Sequence, residues 1–189
     1  MAMTIDEALA VLAGHRGNRI VLTTMASVGL WPGFSDTPLD FSYMPSAMGQ
    51  GPALGLGLAL AQPERGIIVV NGDGSMLMNL GCLVTLASQA CNLYLVIVDN
   101  QLFEVTGGQP TAGQGHVDFA ALARRAGIGR AYTFSDRTSW EAGAAEALSG
   151  RGPVVIWLQV EGRLGQKTPR PPRSMKEQIQ RLQHALGVS

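Results

Sequence analysis

Charge is scarce in this chain. Only 15% of its 189 residues are charged, against roughly 25% in ordinary soluble domains, while 46% are hydrophobic. A surface so short of charge is expected to be covered in part by another subunit. There is no imbalance of sign either: 14 Lys+Arg face 14 Asp+Glu. That balance removes the electrostatic footprint of a nucleic-acid binder or of a protein held on an anionic membrane. Cysteine is limited to Cys82 and Cys91. They are not spaced as metal ligands and read as buried, reduced thiols of a cytoplasmic protein. Asp6 and Glu7 interrupt the first apolar stretch, so no secretory signal reads there. The run Pro52 to Ala61 falls short of the ~20 residues that span a bilayer. A soluble protein without nucleic-acid or membrane partners is expected. Two phosphate-binding patterns are missing as well. No GxxxxGK[ST] occurs, and Gly49-Gln50-Gly51 lacks the third glycine of a dinucleotide fingerprint.

What is present is organised around Ile67 to Gln109. A β-branched run, Ile67 to Val70, stops at Asn71-Gly72-Asp73-Gly74. A helix-length segment follows, expected over Asn79 to Ala90 and apolar on nearly every side, which again calls for intersubunit cover. A second apolar run, Leu93 to Val98, stops at Asp99-Asn100. Short apolar runs closed by turn residues read as strands buried on both faces, and strand, helix, strand reads as a βαβ crossover. Both turns then lie at carboxyl ends of parallel strands, where open α/β sheets bind ligands. Asp73 and Asn100 become neighbours there. One carboxylate and one amide oxygen, flanked by glycine N–H groups, suit a hard cation and a phosphate.

The remainder supports one α/β domain over residues 1–162, with no internal repeat. Thr4 and Glu7 form a capping-box pattern that opens a first helix. Arg19 to Thr23 is predicted as a strand, and a short strand is expected near Phe41 to Met44. Met48 to Ala61 is predicted as a helix with two small-residue faces, Gly51/Gly55/Ala59 and Gly49/Ala53/Gly57/Ala61. Each glycine costs ~1 kcal/mol relative to alanine in a helix, so a close approach of another backbone or of a cofactor is expected. After the glycine-rich loop TGGQPTAGQG, Asp118 is read as the cap of a helix reaching Gly127. A strand follows over Ala131 to Phe134, then a helix opened by Thr138 and Glu141, then a strand over Val154 to Val160. Residues 163–189 change character: Arg163, Lys167, Arg170, Arg173 and Lys176 appear with Pro169, Pro171 and Pro172 and no acid among them. Ser174 and Glu177 then cap a final helix carrying Ile179, Leu182 and Leu186 on one face. The favoured reading of this tail is a solvated linker and a docking helix. The alternative is an arm that helps hold an anionic substrate or partner.

GDGS, a buried helical segment, and a strand ending in DN together resemble the signature of thiamine diphosphate enzymes. The resemblance runs from about Thr4 to Val160. It is strongest to the β subunits of sulfopyruvate and phosphonopyruvate decarboxylases, through GLGLALAQPERGIIVVNGDGSMLMNLG and VIVDNQLFEVTGGQPT. It implies a doubly wound α/β fold with a mainly parallel sheet of about six strands and helices on both faces. It implies thiamine diphosphate and Mg²⁺ as cofactors, the metal held by Asp73, Asn100 and the Leu102 carbonyl. By the same resemblance Thr24, Gly72, Gly74, Ser75 and Met76 lie at the diphosphate. The Ser46 carbonyl faces the aminopyrimidine, Met48 bends the cofactor, Leu102 and Phe103 follow the metal asparagine as cofactor contacts, and Thr106 lies near the thiazolium end.

The implied activity is a 2-oxo acid decarboxylase, with sulfopyruvate or phosphonopyruvate as the expected substrate. Three positions depart from the family pattern: Met25 replaces a glycine after the paired threonines, SAMG stands for GSMG, and Phe103-Glu104 stands for a tyrosine-glycine pair. All three bear on the substrate end rather than on the metal. Such enzymes need an activating glutamate from a pyrimidine-binding domain. Glu7 and Glu64 precede the strands they would have to follow, and Glu104 sits beside the metal loop. That glutamate is therefore expected on a partner α subunit in a dimer or higher hetero-oligomer. A cofactor-binding regulatory subunit and a subunit of a 2-oxo acid oxidoreductase or acetolactate synthase-like enzyme are the alternative readings. His15 and His116 stand in no motif.

Overall fold

The computed structural model describes residues 2–165 and 169–188. Lys167, counted among the basic residues of the tail, lies outside them. Six parallel strands form one sheet in the order β2-β1-β3-β4-β8-β7. They are β1 (Ile20–Thr23), β2 (Asp40–Ser42), β3 (Ile67–Gly72), β4 (Leu93–Asp99), β7 (Arg130–Phe134) and β8 (Val154–Gln159). A separate antiparallel hairpin pairs β5 (Leu102–Phe103) with β6 (Gln109–Pro110).

Successive residues of the central strands alternate between two cores. On one side Ile67, Val69, Leu93, Leu95, Ile97, Val155 and Trp157 pack with α3 (Gly51–Ala61), α5 (Cys82–Ala87), α6 (Phe119–Ala126) and α8 (Met175–Leu186). On the other, Ile68, Val70, Tyr94, Val96, Val98, Ile156 and Leu158 pack with α1 (Ile5–His15) and α7 (Arg137–Ala147). The fold is therefore doubly wound, as the apolar runs imply.

Side-chain caps fix the starts of α1, α6, α7 and α8. Thr4 accepts from the Glu7 N–H at 3.2 Å while Glu7 accepts from the Thr4 N–H at 2.9 Å. Ser174 and Glu177 make the same reciprocal pair at 3.3 and 2.8 Å. Asp118 caps α6, which ends at the left-handed Gly127. The expected capping of α7 is corrected. Asp136 holds the N-cap and accepts from the Ser139 N–H at 2.9 Å, leaving Thr138 inside the first turn. An aspartate two residues upstream outcompetes a threonine for that role.

The expected helix over Asn79 to Ala90 is also corrected. It is shortened to α5 (Cys82–Ala87), and a separate short helix, α4 (Asp73–Leu77), precedes it. Between them Asn79, Cys82, Leu83 and Val84 donate to carbonyls three residues back rather than four, a tighter winding that α-helices adopt only briefly. The Asn79 side chain donates to the Gly49 carbonyl at 2.9 Å, tying this break to the loop before α3. The break leaves Met78 58% and Val84 62% exposed, so this stretch is not apolar-covered within the chain.

The small-residue helix resolves into two different faces. Gly51, Gly55 and Ala59 are buried, and a Cβ on Gly55 would run into the Val69 side chain. Ala53, Gly57 and Ala61 are exposed instead. The tail does not run free. Arg173 forms a two-pronged ion pair with Asp36 at 2.6 and 2.7 Å, and the Ser42 N–H donates to Gln178 at 2.7 Å. Leu182 is buried against the main core, whereas Ile179 remains 41% exposed.

Candidate functional site

β1 leads out to the edge strand β2, and the chain then returns to place β3 on the other side of β1. The crevice beyond such a reversal is where open α/β sheets bind ligands. A cavity of about 490 Å³ opens there, a size that suits a cofactor-sized molecule. Thr24, Ser46, Met48, Gly72, Asp73, Gly74, Ser75, Asn100, Leu102, Phe103 and Thr106 all line it. Met76 does not. Its side chain is fully buried in the core beside α5, so no contact with a ligand in the cavity can come from that side chain.

Asp73 begins α4 directly after β3, and Asp99 closes β4. Gly72 pairs with Val98 across the two strands, so the two aspartates fall in adjacent positions. Both are nearly fully buried, at 3% and 6% exposure. Asp73 accepts from the Thr111 hydroxyl at 2.9 Å. Asp99 accepts from the Trp157 indole N–H at 2.9 Å and from the Gln101 N–H at 3.1 Å. Burial first, and then the neighbouring Asp99 charge, push the Asp73 carboxyl up to about 7. Burial raises Asp99 as well. Two buried carboxyls side by side share a proton unless a cation is supplied.

Asn100 follows immediately. Its Oδ1 accepts from the Leu102 N–H at 3.1 Å, and its Nδ2 donates to Glu104 at 3.3 Å. The Glu104 side chain is only 6% exposed and lies 3.7 Å from Arg163, which pairs in turn with Asp6 at 2.9 Å. Oε1 of Glu104 is buried without a hydrogen bond. The hairpin β5–β6 turns through Gly107 and Gly108, both at positive φ, and so returns Thr111 to Asp73. Gly74 makes the crossing feasible: a Cβ there would lie 2.5 Å from the Phe103 ring.

A second network lies toward β1. Asn71, 1% exposed, accepts from Thr24 Oγ1 at 3.0 Å and from Ser75 Oγ at 2.8 Å. Ser75 Oγ accepts in turn from the Gly49 N–H at 2.9 Å. Gly49 adopts φ +82, a left-handed conformation natural to glycine, and this turns the Ser46–Met48 loop onto the cavity. Met25, which also lines the cavity, has φ +52. The position where the family resemblance leads one to expect glycine thus has a glycine-like backbone, at a cost of roughly 1–2 kcal/mol for a side chain.

Sequence reasoning gave no role to Asn71, Asp99, Thr111, or Glu104 as a partner of Asn100. Asn71 and Asp99 had a local signal, since each is a polar residue closing an apolar strand; Thr111 had none. Arg170 was signalled only as one of the tail's basic residues, and the structure places it, alone of those described, on the cavity.

The donor set fits a hard cation beside an anion. Among the described residues no three His, Cys, Asp or Glu side chains gather as metal ligands. The oxygens on offer at the strand ends are one carboxylate, one amide and backbone carbonyls. Mg²⁺ favours such a set, completed by phosphate oxygens and water. Burial raises both carboxyls of the aspartate pair, and a cation beside them would favour their charged form.

Comparisons with known proteins agree. Residues 24–158 match the profile described as thiamine pyrophosphate enzyme, C-terminal TPP binding domain. Sulfopyruvate decarboxylase subunit beta of Methanothermobacter thermautotrophicus is 42% identical over 127 residues, covering 67% of this chain and 64% of that one. Phosphonopyruvate decarboxylase of Streptomyces hygroscopicus is 40% identical over 119 residues, covering 62% of this chain and 29% of that one. The chain thus spans less than two thirds of the length of either relative. Among solved structures, benzoylformate decarboxylase from Polynucleobacter necessarius superposes with a TM-score of 0.71 at 20% identity, over 85% of this chain and 34% of that chain. That likeness speaks for the fold. With the profile covering most of the sheet and the whole βαβ unit, this chain belongs to the thiamine pyrophosphate enzymes, as their C-terminal TPP-binding domain.

Proposed function

We propose that this chain is the diphosphate- and Mg²⁺-binding half of a thiamine diphosphate-dependent 2-oxo acid decarboxylase, for a substrate bearing a sulfonate or phosphonate at C3. The observation that carries the reading is the placement of Asp73 and Asn100 at the ends of adjacent parallel strands over one cavity. Asp73, Asn100 and the Leu102 carbonyl would hold the metal. Backbone N–H groups at Gly74 and Ser75, with Thr24, would hold the diphosphate. The Asn71 network keeps Ser75 and Thr24 in position, and the Gly49 clamp positions Ser46 and Met48 at the cavity, where they would meet the pyrimidine. Glu104 accepts from the Asn100 amide N–H and so orients an amide oxygen that would serve the metal. Phe103 lines the cavity, where it would border the reacting end. The bound cofactor supplies the electron sink for CO₂ loss.

The relatives support a C3 anion because both of those described above are named for sulfopyruvate or phosphonopyruvate. The name subunit beta supports a second chain, which would bring the activating glutamate. Exposed apolar side chains support it too: Leu54 and Leu60 on α3, Met78 and Val84 around α5. Cys82 and Cys91 are free and buried, in keeping with a reducing, cytoplasmic setting. Among the described residues no helix is long and apolar enough to cross a membrane.

The test is calorimetric titration of thiamine diphosphate with Mg²⁺ into the chain and into Asp73→Ala and Asn100→Ala. Both variants should fold and lose most metal-dependent affinity. Wild-type affinity in both would remove the metal assignment. Decarboxylation by the chain alone, without a second polypeptide, would remove the two-subunit reading.

A further inference from the structure

We infer that Arg170, on the tail beyond the sheet, is the contact for the C3 anion of the substrate and so sets the preference for charged over uncharged 2-oxo acids. The inference rests on the decarboxylase reading above and adds to it a recognition residue outside residues 24–158 matched by the family profile.

Three observations carry it. The first is the charge inventory of the cavity. Its charged lining residues are Asp73, Glu104 and Arg170, so Arg170 is the only cation among the described lining residues. Asp73 would be taken up by the metal, and Glu104 faces the Arg163–Asp6 pair. A substrate with a carboxylate and a second anion, entering a cavity whose other fixed charges are negative, requires a cation. This chain offers one.

The second is placement. The tail crosses the site before it reaches Arg170. Gly162 packs against Leu102, and Arg163 reaches Glu104 and Asp6. Beyond it, the Pro169 carbonyl lies where a Cβ on Gly29 would sit, so the tail backbone is seated against the helix α2 (Ser27–Leu30). The start of that helix, Ser27 and Val28, lines the same cavity.

The third is anchorage on the far side. Arg173 and Arg181 both pair with Asp36, at 2.6 and 3.3 Å, and Gln178 bonds both Ser42 and the Arg173 carbonyl, at 2.7 and 3.1 Å. Arg170 is therefore held between two fixed points. Arg173 and Arg181 spend their charge on Asp36, whereas no described carboxylate lies within ion-pair distance of Arg170. A guanidinium offers two parallel N–H donors to a sulfonate or phosphonate.

The experiment uses the assembled enzyme, this chain with its partner subunit, and compares Arg170→Gln and Arg170→Lys with the parent. Substrates are 3-sulfopyruvate, 3-phosphonopyruvate and pyruvate; 3-sulfolactate and lactate serve as unreactive binding probes. Arg170→Gln should lower kcat/KM for the charged substrates by about tenfold to a hundredfold, as loss of one charged hydrogen-bonding contact does. The loss should fall mainly on KM, with pyruvate turnover and thiamine diphosphate affinity unchanged. Binding of 3-sulfolactate should weaken and that of lactate should not, and lysine should recover part of the preference. An unchanged ratio of charged to uncharged substrate in Arg170→Gln, in an enzyme whose parent prefers the charged one, overturns this assignment alone. So does an equal loss on every substrate or a loss of cofactor affinity. A parent enzyme indifferent to charge at C3 overturns the substrate reading itself and this assignment with it.

Discussion

Replacing Asp73 by asparagine should stabilise the metal-free chain at neutral pH while abolishing the function of the site. The Asp73 carboxyl titrates at about 7 in the fold against an ordinary 3.8. In a folded chain without metal, that proton is retained over a pH range in which the unfolded chain has already released it. Stability is therefore fully present below about pH 3.8 and falls as pH rises through that window, levelling off above about 7. At ~1.36 kcal/mol per pH unit the total is on the order of a few kcal/mol. The side chain is only 3% exposed, which limits screening by solvent. Asparagine has the same shape, can accept from Thr111 and can donate to Asp99, so it removes the charge without orphaning a hydrogen bond. Urea denaturation in EDTA at pH 5 and pH 7.5 is the assay. The parent should lose about 2–3 kcal/mol between the two, and Asp73→Asn should lose far less and exceed the parent at pH 7.5. A variant with the parent's full pH slope, or one less stable than the parent at pH 7.5, would refute the claim that the buried pair carries an unmet charge. Residual slope in the variant belongs to Asp99, which burial also raises.

Three further outcomes follow from the same geometry. Loading Mg²⁺ with thiamine diphosphate should release close to one proton near pH 6 and close to none above about pH 8, because ligands bind metal deprotonated; calorimetry in buffers of different ionisation enthalpy reads this directly. Gly55→Ala should lower stability by about 1–2 kcal/mol, since overpacking against Val69 outweighs the helix-propensity gain, while Gly57→Ala, with no atom within 4 Å of its added Cβ, should raise it by up to ~1 kcal/mol. Equal thermal shifts in the two would disprove the close approach. Gly74→Ala should weaken cofactor binding by about tenfold through displacement of Phe103, and pairing it with Phe103→Ala should recover part of that loss, giving a nonzero coupling in a double-mutant cycle.

Much of this protein was legible from residues close together in sequence, because the forces involved act over one turn or one strand. Thr4 with Glu7 and Ser174 with Glu177 are reciprocal bonds across three residues. The runs Ile67 to Val70 and Leu93 to Val98 are apolar because both faces of those strands are buried. The crossover between them then forces Asp73 and Asn100 to one edge of the sheet. Where two local signals competed, only packing decided: Asp136 displaced Thr138 as a cap, and the pull of Gly49 on Asn79 accompanies the break between α4 and α5. The charge state of the site was not local at all. Asp73 is raised by Asp99 on the neighbouring strand and bonded by Thr111, 38 residues away. Glu104 meets Arg163 from the tail, and Arg170 enters the cavity from beyond the family domain. Each of these contacts joins segments brought together only when the sheet closes, and a contact made across the fold leaves no periodicity for the sequence to display.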